Sequence, residues 1–156
     1  MMQTRYCTNL PSGSLPAVDG LRARLEKLRP DARAQWGKMN VAQALAHMAT
    51  TMEMSLGDIN PPRALVGRLI GGWIKPKALA APMRPGNPTS PQLRISDTRD
   101  FEKERTRLRG LIDRFATAGP KGVTTQPHPF FGPMTTDEWA LQMWKHVDHH
   151  LRQFGA

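Results

Sequence analysis

Two stretches of this chain place a capping-box pair ahead of an apolar stripe of helical period, and both helices so marked carry histidine, His47 beside the first stripe and His146 and His150 within the second. In the first, Asn40 stands three residues before Gln43, and Val41, Leu45, Met48, Met52 and Leu56 follow at intervals of three or four. In the second, Thr135 stands three residues before Glu138, and Trp139, Met143, His146 and His150 follow at 4-3-4 spacing. An N-cap oxygen satisfies a backbone N–H that the helix leaves orphaned, and Gln or Glu three positions on returns the bond. A 3.6-residue repeat puts the spaced residues on one face. Any fold for this chain therefore has to bury two helix faces, and one of them ends in imidazole.

The rest of the chain reads as helix and connection. Residues 17–29 carry Val18, Leu21, Leu25 and Leu28 on one face and stop at Pro30. Gly57 offers a stop for the second helix. A third, capped by Ser96 or Asp97, turns Phe101, Leu108, Leu111, Ile112 and Phe115 inward and ends near Gly119. The fourth runs from residue 136 to about 154. Aromatics are only 6% of a chain that is 39% hydrophobic, so Ala and nine Met carry much of the packing, which favours helices over a sheet. Residues 58–96 form a long crossover, in which 64–74 makes at most a short helix weakened by Gly67, Gly71 and Gly72. The stretch APMRPGNPTSPQL is too rich in Pro and Gly for regular structure. The expected fold is all-α. Residues 1–16 are an irregular lead-in, and 17–156 form one domain, a four-helix bundle with a long crossover between helices 2 and 3.

Several functional classes are disfavoured. The single Cys7 permits no internal disulfide, points to a reducing cytoplasm and reads as an inert thiol. No targeting segment is visible, and no apolar run approaches the roughly 18 residues of a membrane span. The most apolar stretch, 64–81, is broken by Arg68, Lys75 and Pro76 and is expected to cover a core, so no membrane partner is expected. A net charge of +9 attracts polyanions without specifying one. With no recognition helix, zinc-finger spacing or aromatic-rich RNA motif, no specific nucleic acid is expected.

The chemistry concentrates in KHVDHHLRQF, residues 145–154. His146 and His150 lie about 40° apart on one helix face, the arrangement two imidazoles need to share an ion at about 2.0–2.1 Å. His149 falls about 100° from His150, to the flank and toward water. On the second helix, His47 lies roughly 9 Å from the start, and the His146–His150 midpoint lies roughly 9 Å from the end of the fourth. Antiparallel packing would bring all three to one depth. Spacing alone leaves two readings open, a three-histidine metal site and a polar helix end. No general base is identified: Asp148 faces away, and Glu53 is possible but lies about a turn and a half beyond His47.

The blocks WGKMNVAQALAHM and HPFFGPMTTDEWALQMWKHVDHHLRQFG resemble the DinB/YfiT-like superfamily of bacterial metal-binding bundles, within a branch classed as a domain of unknown function. The resemblance extends over roughly residues 17–155. It implies a DinB-like four-helix bundle, often a homodimer. It also implies a divalent metal, commonly zinc or nickel, on one histidine of helix 2 and an H-x3-H pair of helix 4, which correspond to His47, His146 and His150. By analogy with members that activate a low-molecular-weight thiol, the implied function is a metal-dependent, thiol-dependent transferase or a hydrolase acting on a small molecule. A noncatalytic metal-stabilised bundle and a basic binding module stand as alternatives. Milder roles fall to the remaining motif residues. His128 is expected to fix its loop at the end away from the metal, and Phe130 and Phe131 to close the core. Trp36, Trp139 and Trp144 are expected to pack, and Arg152 and Gln153 to form a solvated helix end near the site mouth. The apolar face of 65–74 is the candidate dimer interface.

Overall fold

The structure, a computed structural model, describes residues 15–87 and 89–156. Cys7 and the lead-in up to residue 14 lie outside the described residues. The described residues form five α-helices in order: α1 (Leu15–Lys27), α2 (Val41–Leu56), α3 (Leu65–Ala80), α4 (Phe101–Ala118) and α5 (Thr136–Gln153). Short 3-10 turns occupy Pro91–Leu93 and Gly119–Gly122. No strand occurs among the described residues; a lone antiparallel bridge joins His128 to Gly132. The all-α expectation holds for the described residues. Its count of four helices does not, and α1 begins at Leu15, inside the expected lead-in.

The helix starts follow from their caps. Asn40 Oδ1 accepts from Gln43 N at 2.9 Å, and Gln43 Oε1 accepts from Asn40 N at 3.0 Å. Thr135 and Glu138 make the same reciprocal pair at the head of α5. α2 ends at Gly57, whose φ of 82° is the left-handed conformation that glycine adopts without strain. α4 starts later than expected. Asp100 is its cap, accepting from Lys103 N at 2.8 Å, while Asp97 instead pairs with Arg99. Phe101, the first buried residue of α4, directly follows that cap.

α2 lies at the centre of the packing, against α4 and α5, and α1 packs on both of those helices. Leu25, Leu45, Met48, Leu108, Trp139, Val147 and Leu151 are fully buried between them. A charged clamp fastens α4 to α2. The buried Glu104 accepts from Arg99 and Arg107, and Arg107 also reaches both oxygens of Glu53, at 3.1 and 2.7 Å.

The crossover departs most from expectation, because α3 is a 16-residue helix that runs through Pro76. Gly67 and Gly71 are its docking points. A Cβ on Gly71 would lie 1.8 Å from the carbonyl oxygen of Phe130, and one on Gly67 would lie 2.6 Å from the same atom. Only glycine lets the helix approach the HPFFG loop so closely. Ala64 N donates to Pro129 O at 3.0 Å, fixing the start of α3. At its other end the Lys145 ammonium of α5 donates to the carbonyls of Ala78, Leu79 and Ala81. These are carbonyls that the end of a helix leaves unpaired, and a cation there suits the helix dipole. The glycine side of α3 thus covers the bundle, whereas Leu65, Leu69 and Trp73 face outward, exposed.

This packing separates two neighbouring glycines. Gly71→Ala is expected to lose about 1–3 kcal/mol through overpacking. Gly72→Ala, with nothing within 4 Å of its Cβ, is expected to gain up to ~1 kcal/mol from helix propensity. Thermal melts of the two variants should therefore shift in opposite directions.

Candidate metal centre

α2 supplies His47, and α5 supplies His146 and His150, all three buried. Thr51, one turn after His47, meets His146, while His47 itself meets both His146 and His150. Contacts that run in opposite chain directions are those of antiparallel neighbours. Ring centroids lie 4.8 Å apart for His47–His146, 5.0 Å for His47–His150 and 4.7 Å for His146–His150. One ring nitrogen from each histidine lies within 4.8 Å of the other two.

The hydrogen bonds decide which nitrogens are free. His47 Nδ1 lies 2.9 Å from Leu93 O, a carbonyl that can only accept, so the proton sits on Nδ1. The Thr51 hydroxyl donates to Met48 O at 2.8 Å and so accepts from His146 Nδ1–H at 3.1 Å. Gln153 donates through Nε2 to Trp36 O at 2.5 Å, which turns its Oε1 to accept from His150 Nδ1–H at 2.7 Å. All three imidazoles are therefore Nδ1–H tautomers with an unprotonated Nε2. Fixing the tautomer through the remote nitrogen is what outer partners do for metal-ligating histidine.

The free nitrogens then face each other. His47 Nε2 and His146 Nε2 are 3.0 Å apart with no proton left to place between them. Protonating one ring would relieve the opposed lone pairs, but burial works against it. Desolvation pushes His47 down, sends His146 well below the usual imidazole range and takes His150 to about 3, with neighbouring imidazoles adding to all three. At neutral pH the cluster is neutral, buried and composed of acceptors. A cation is the chemistry that satisfies such a set. An ion bound at about 2.0–2.1 Å can hold nitrogens no more than about 4.2 Å apart, so the rings need only a small closure from 4.8 Å.

The surroundings differ from the sequence reading in three places. His149 does not face water. It is buried, 5.4 Å from the Trp36 ring and 5.1 Å from that of His150, and lies beside the backbone of Met83. The chain after α3 and the loop carrying Trp36 cover that flank. Gln153 is likewise buried rather than solvated, since it bridges His150 to Trp36. Glu53 is committed to Arg107 and is not available as a base. Asp148 stays turned from the rings, held between Arg24 at 2.6 Å and Arg152 at 3.0 Å.

His128 fixes its loop. Its Nδ1 accepts from Phe130 N and Phe131 N, both at 3.1 Å, and its ring stacks on Phe131 and lies 5.3 Å from Trp139. Phe130 and Phe131 are half-buried. Three partners of the centre had weak or no sequence signal. Thr51 follows His47 by four residues, and Gln153 follows His150 by three, spacings that place each beside its histidine. The Leu93 contact uses a backbone carbonyl, so no side-chain pattern marks it.

A family model described as "Protein of unknown function (DUF1569)" matches residues 9–156. No curated protein and no solved structure matches the chain.

Burial takes the His128 imidazole down to about 4 from an ordinary 6.5. Between those values the unfolded chain binds the proton that the folded one excludes. Stability is therefore complete above pH 6.5 and is lost as pH falls toward 4. In His128→Asn, which keeps an acceptor for the loop, the stability difference between pH 7 and pH 4 should shrink by about 2–3 kcal/mol in denaturant titrations. An unchanged difference would show that His128 is not titrating in this way.

Proposed function

For this chain, which belongs to the family described as a protein of unknown function (DUF1569), we propose a divalent-metal centre at His47, His146 and His150, serving metal-dependent chemistry on a small molecule. One observation carries the reading. Each Nδ1–H is engaged by its own acceptor, Leu93 O, Thr51 Oγ1 or Gln153 Oε1, which leaves Nε2 unprotonated on three rings that sit in one cluster. Zinc or nickel suits an all-imidazole set. The DinB-like type is part of the proposal: α1, α2, α4 and α5 would be the four bundle helices, with α3 in the crossover.

A divalent ion on three neutral imidazoles retains a coordination position and lowers the pKa of the water or thiol that takes it. That chemistry fits a thiol-dependent transferase or a hydrolase, and the reducing compartment read from Cys7 suits a thiol. The chain's own residues orient the rings and remove competing charge. Leu93, Thr51 and Gln153 hold the tautomers, and Arg24 and Arg152 neutralise Asp148 beside the cluster. With Glu53 and Asp148 both paired, neither supports a general-base role. A second reading has its own observation. The three histidines are only 4% to 8% exposed, which favours a metal that stabilises the bundle without turnover.

Mass spectrometry of tag-free protein should find near one equivalent of metal, lost in His47→Ala and in His150→Ala. Gln153→Ala should keep the site but bind about 10–100-fold more weakly, because it frees the His150 tautomer. Absence of metal after reconstitution with zinc, nickel, iron and manganese would sink the proposal. Cobalt(II)-loaded protein separates the two readings. A thiolate absorption band on adding a small thiol supports chemistry, and a spectrum indifferent to thiol supports a structural ion.

A further inference from the structure

α3 is amphipathic in the opposite sense from the other helices. Gly67 and Gly71 face the bundle, and its large apolar side chains face outward. Leu65, Leu69 and Trp73 advance in steps of four along one ridge, and Leu69 and Trp73 are 84% and 85% exposed. Val66 and Ile70 lie beside them, and these five are the exposed large hydrophobic side chains of the described residues. A contiguous apolar face of this kind marks an interaction surface.

The charge pattern indicates what that surface meets. At 100° per residue Arg68 flanks the ridge, and Lys77 continues its steps of four one turn past Trp73, both exposed. No Asp or Glu occurs in the chain between Asp58 and Asp97, while Arg63, Arg68, Lys75, Lys77, Arg84 and Arg94 do. Laying α3 against the α3 of a second copy would press like-charged rims together, with no carboxylate of the segment to answer them. An anionic surface complements both the rim and the ridge. An apolar face with Trp and with Lys and Arg at its edges is the composition of helices that lie in a bilayer interface. No helix among the described residues is long and apolar enough to cross a membrane, so the contact is with the surface of one, against the sequence expectation that this stretch only covers a core and meets no membrane.

We propose that α3 seats the protein on an anionic lipid surface, with Leu65, Leu69 and Trp73 entering the headgroup–acyl boundary and Arg68 and Lys77 at the level of the phosphates. The helix is already ordered by the Phe130 contacts and the Lys145 cap, so little conformational entropy is lost on docking. The inference is independent of the metal centre.

The test uses the full chain with sedimentable vesicles of phosphatidylcholine alone, or of phosphatidylcholine and phosphatidylglycerol in equal parts. Binding is expected to the anionic vesicles only, with a blue shift of tryptophan emission that Trp73→Phe abolishes. Leu69→Ser should bind about tenfold more weakly, and Arg68→Gln and Lys77→Gln about fivefold more weakly each. These positions are exposed, so thermal melts should match the parent and report intact folding. Failure to bind anionic vesicles overturns the proposal. So does binding that Leu69→Ser leaves unchanged, which reduces the effect to adsorption by net charge. A dimer in light scattering that Leu69→Ser dissociates would assign the face to a second copy instead.

Discussion

Three imidazoles buried between α2 and α5, each with its Nδ1–H already spent, are the constraint to which the rest of this structure answers. Neutral histidine inside a helical bundle is tolerable only when both nitrogens have partners, and here the protein supplies one per ring. Leu93, Thr51 and Gln153 come from three different parts of the chain, so the cluster depends on the whole arrangement of α2, the crossover and α5. The second nitrogen of each ring is left for something that the chain does not provide.

The crossover is tied to the same helix that carries the histidine pair. Lys145, adjacent to His146, reaches out from α5 to close the end of α3, while its neighbour His146 points into the cluster. Burial pushes the Lys145 amine down, and the carbonyls that surround it favour the ammonium. α5 therefore fixes two features at once: inward, the pair of ligand candidates, and outward, a helix whose free face is apolar. The Pro91–Leu93 turn completes the connection by returning the crossover to His47.

Local signals were the most legible. Both capping boxes, the Gly57 stop and the stripes of α2 and α5 act within a few residues, and each appears where propensity and periodicity place it. The convergence of His47, His146 and His150 was also readable, because matched depth on antiparallel helices is a matter of helical rise. Less legible were features whose cause lies elsewhere in the chain. The glycines of α3 read as weakness until Phe130 is seen against them, since close backbone approach leaves no mark in the segment itself. His149 and Gln153 sit where the α5 pattern alone predicts solvent, and Trp36 with the chain around Met83 is what excludes it. The α4 cap is Asp100 rather than Ser96 or Asp97, and Asp97 is instead paired with Arg99.

By itself, the sequence determined that this chain is helical, where its best-capped helices begin, and that two apolar helix faces, one of them ending in imidazole, must be buried. Those properties follow from backbone capping and from the 3.6-residue repeat, which are local. Only the tertiary structure decided which nitrogen of each ring is free. That depends on a backbone carbonyl, a hydroxyl and an amide delivered from distant segments. It also decided which face of α3 the bundle accepts, because van der Waals contact with the HPFFG loop admits glycine and excludes every larger side chain.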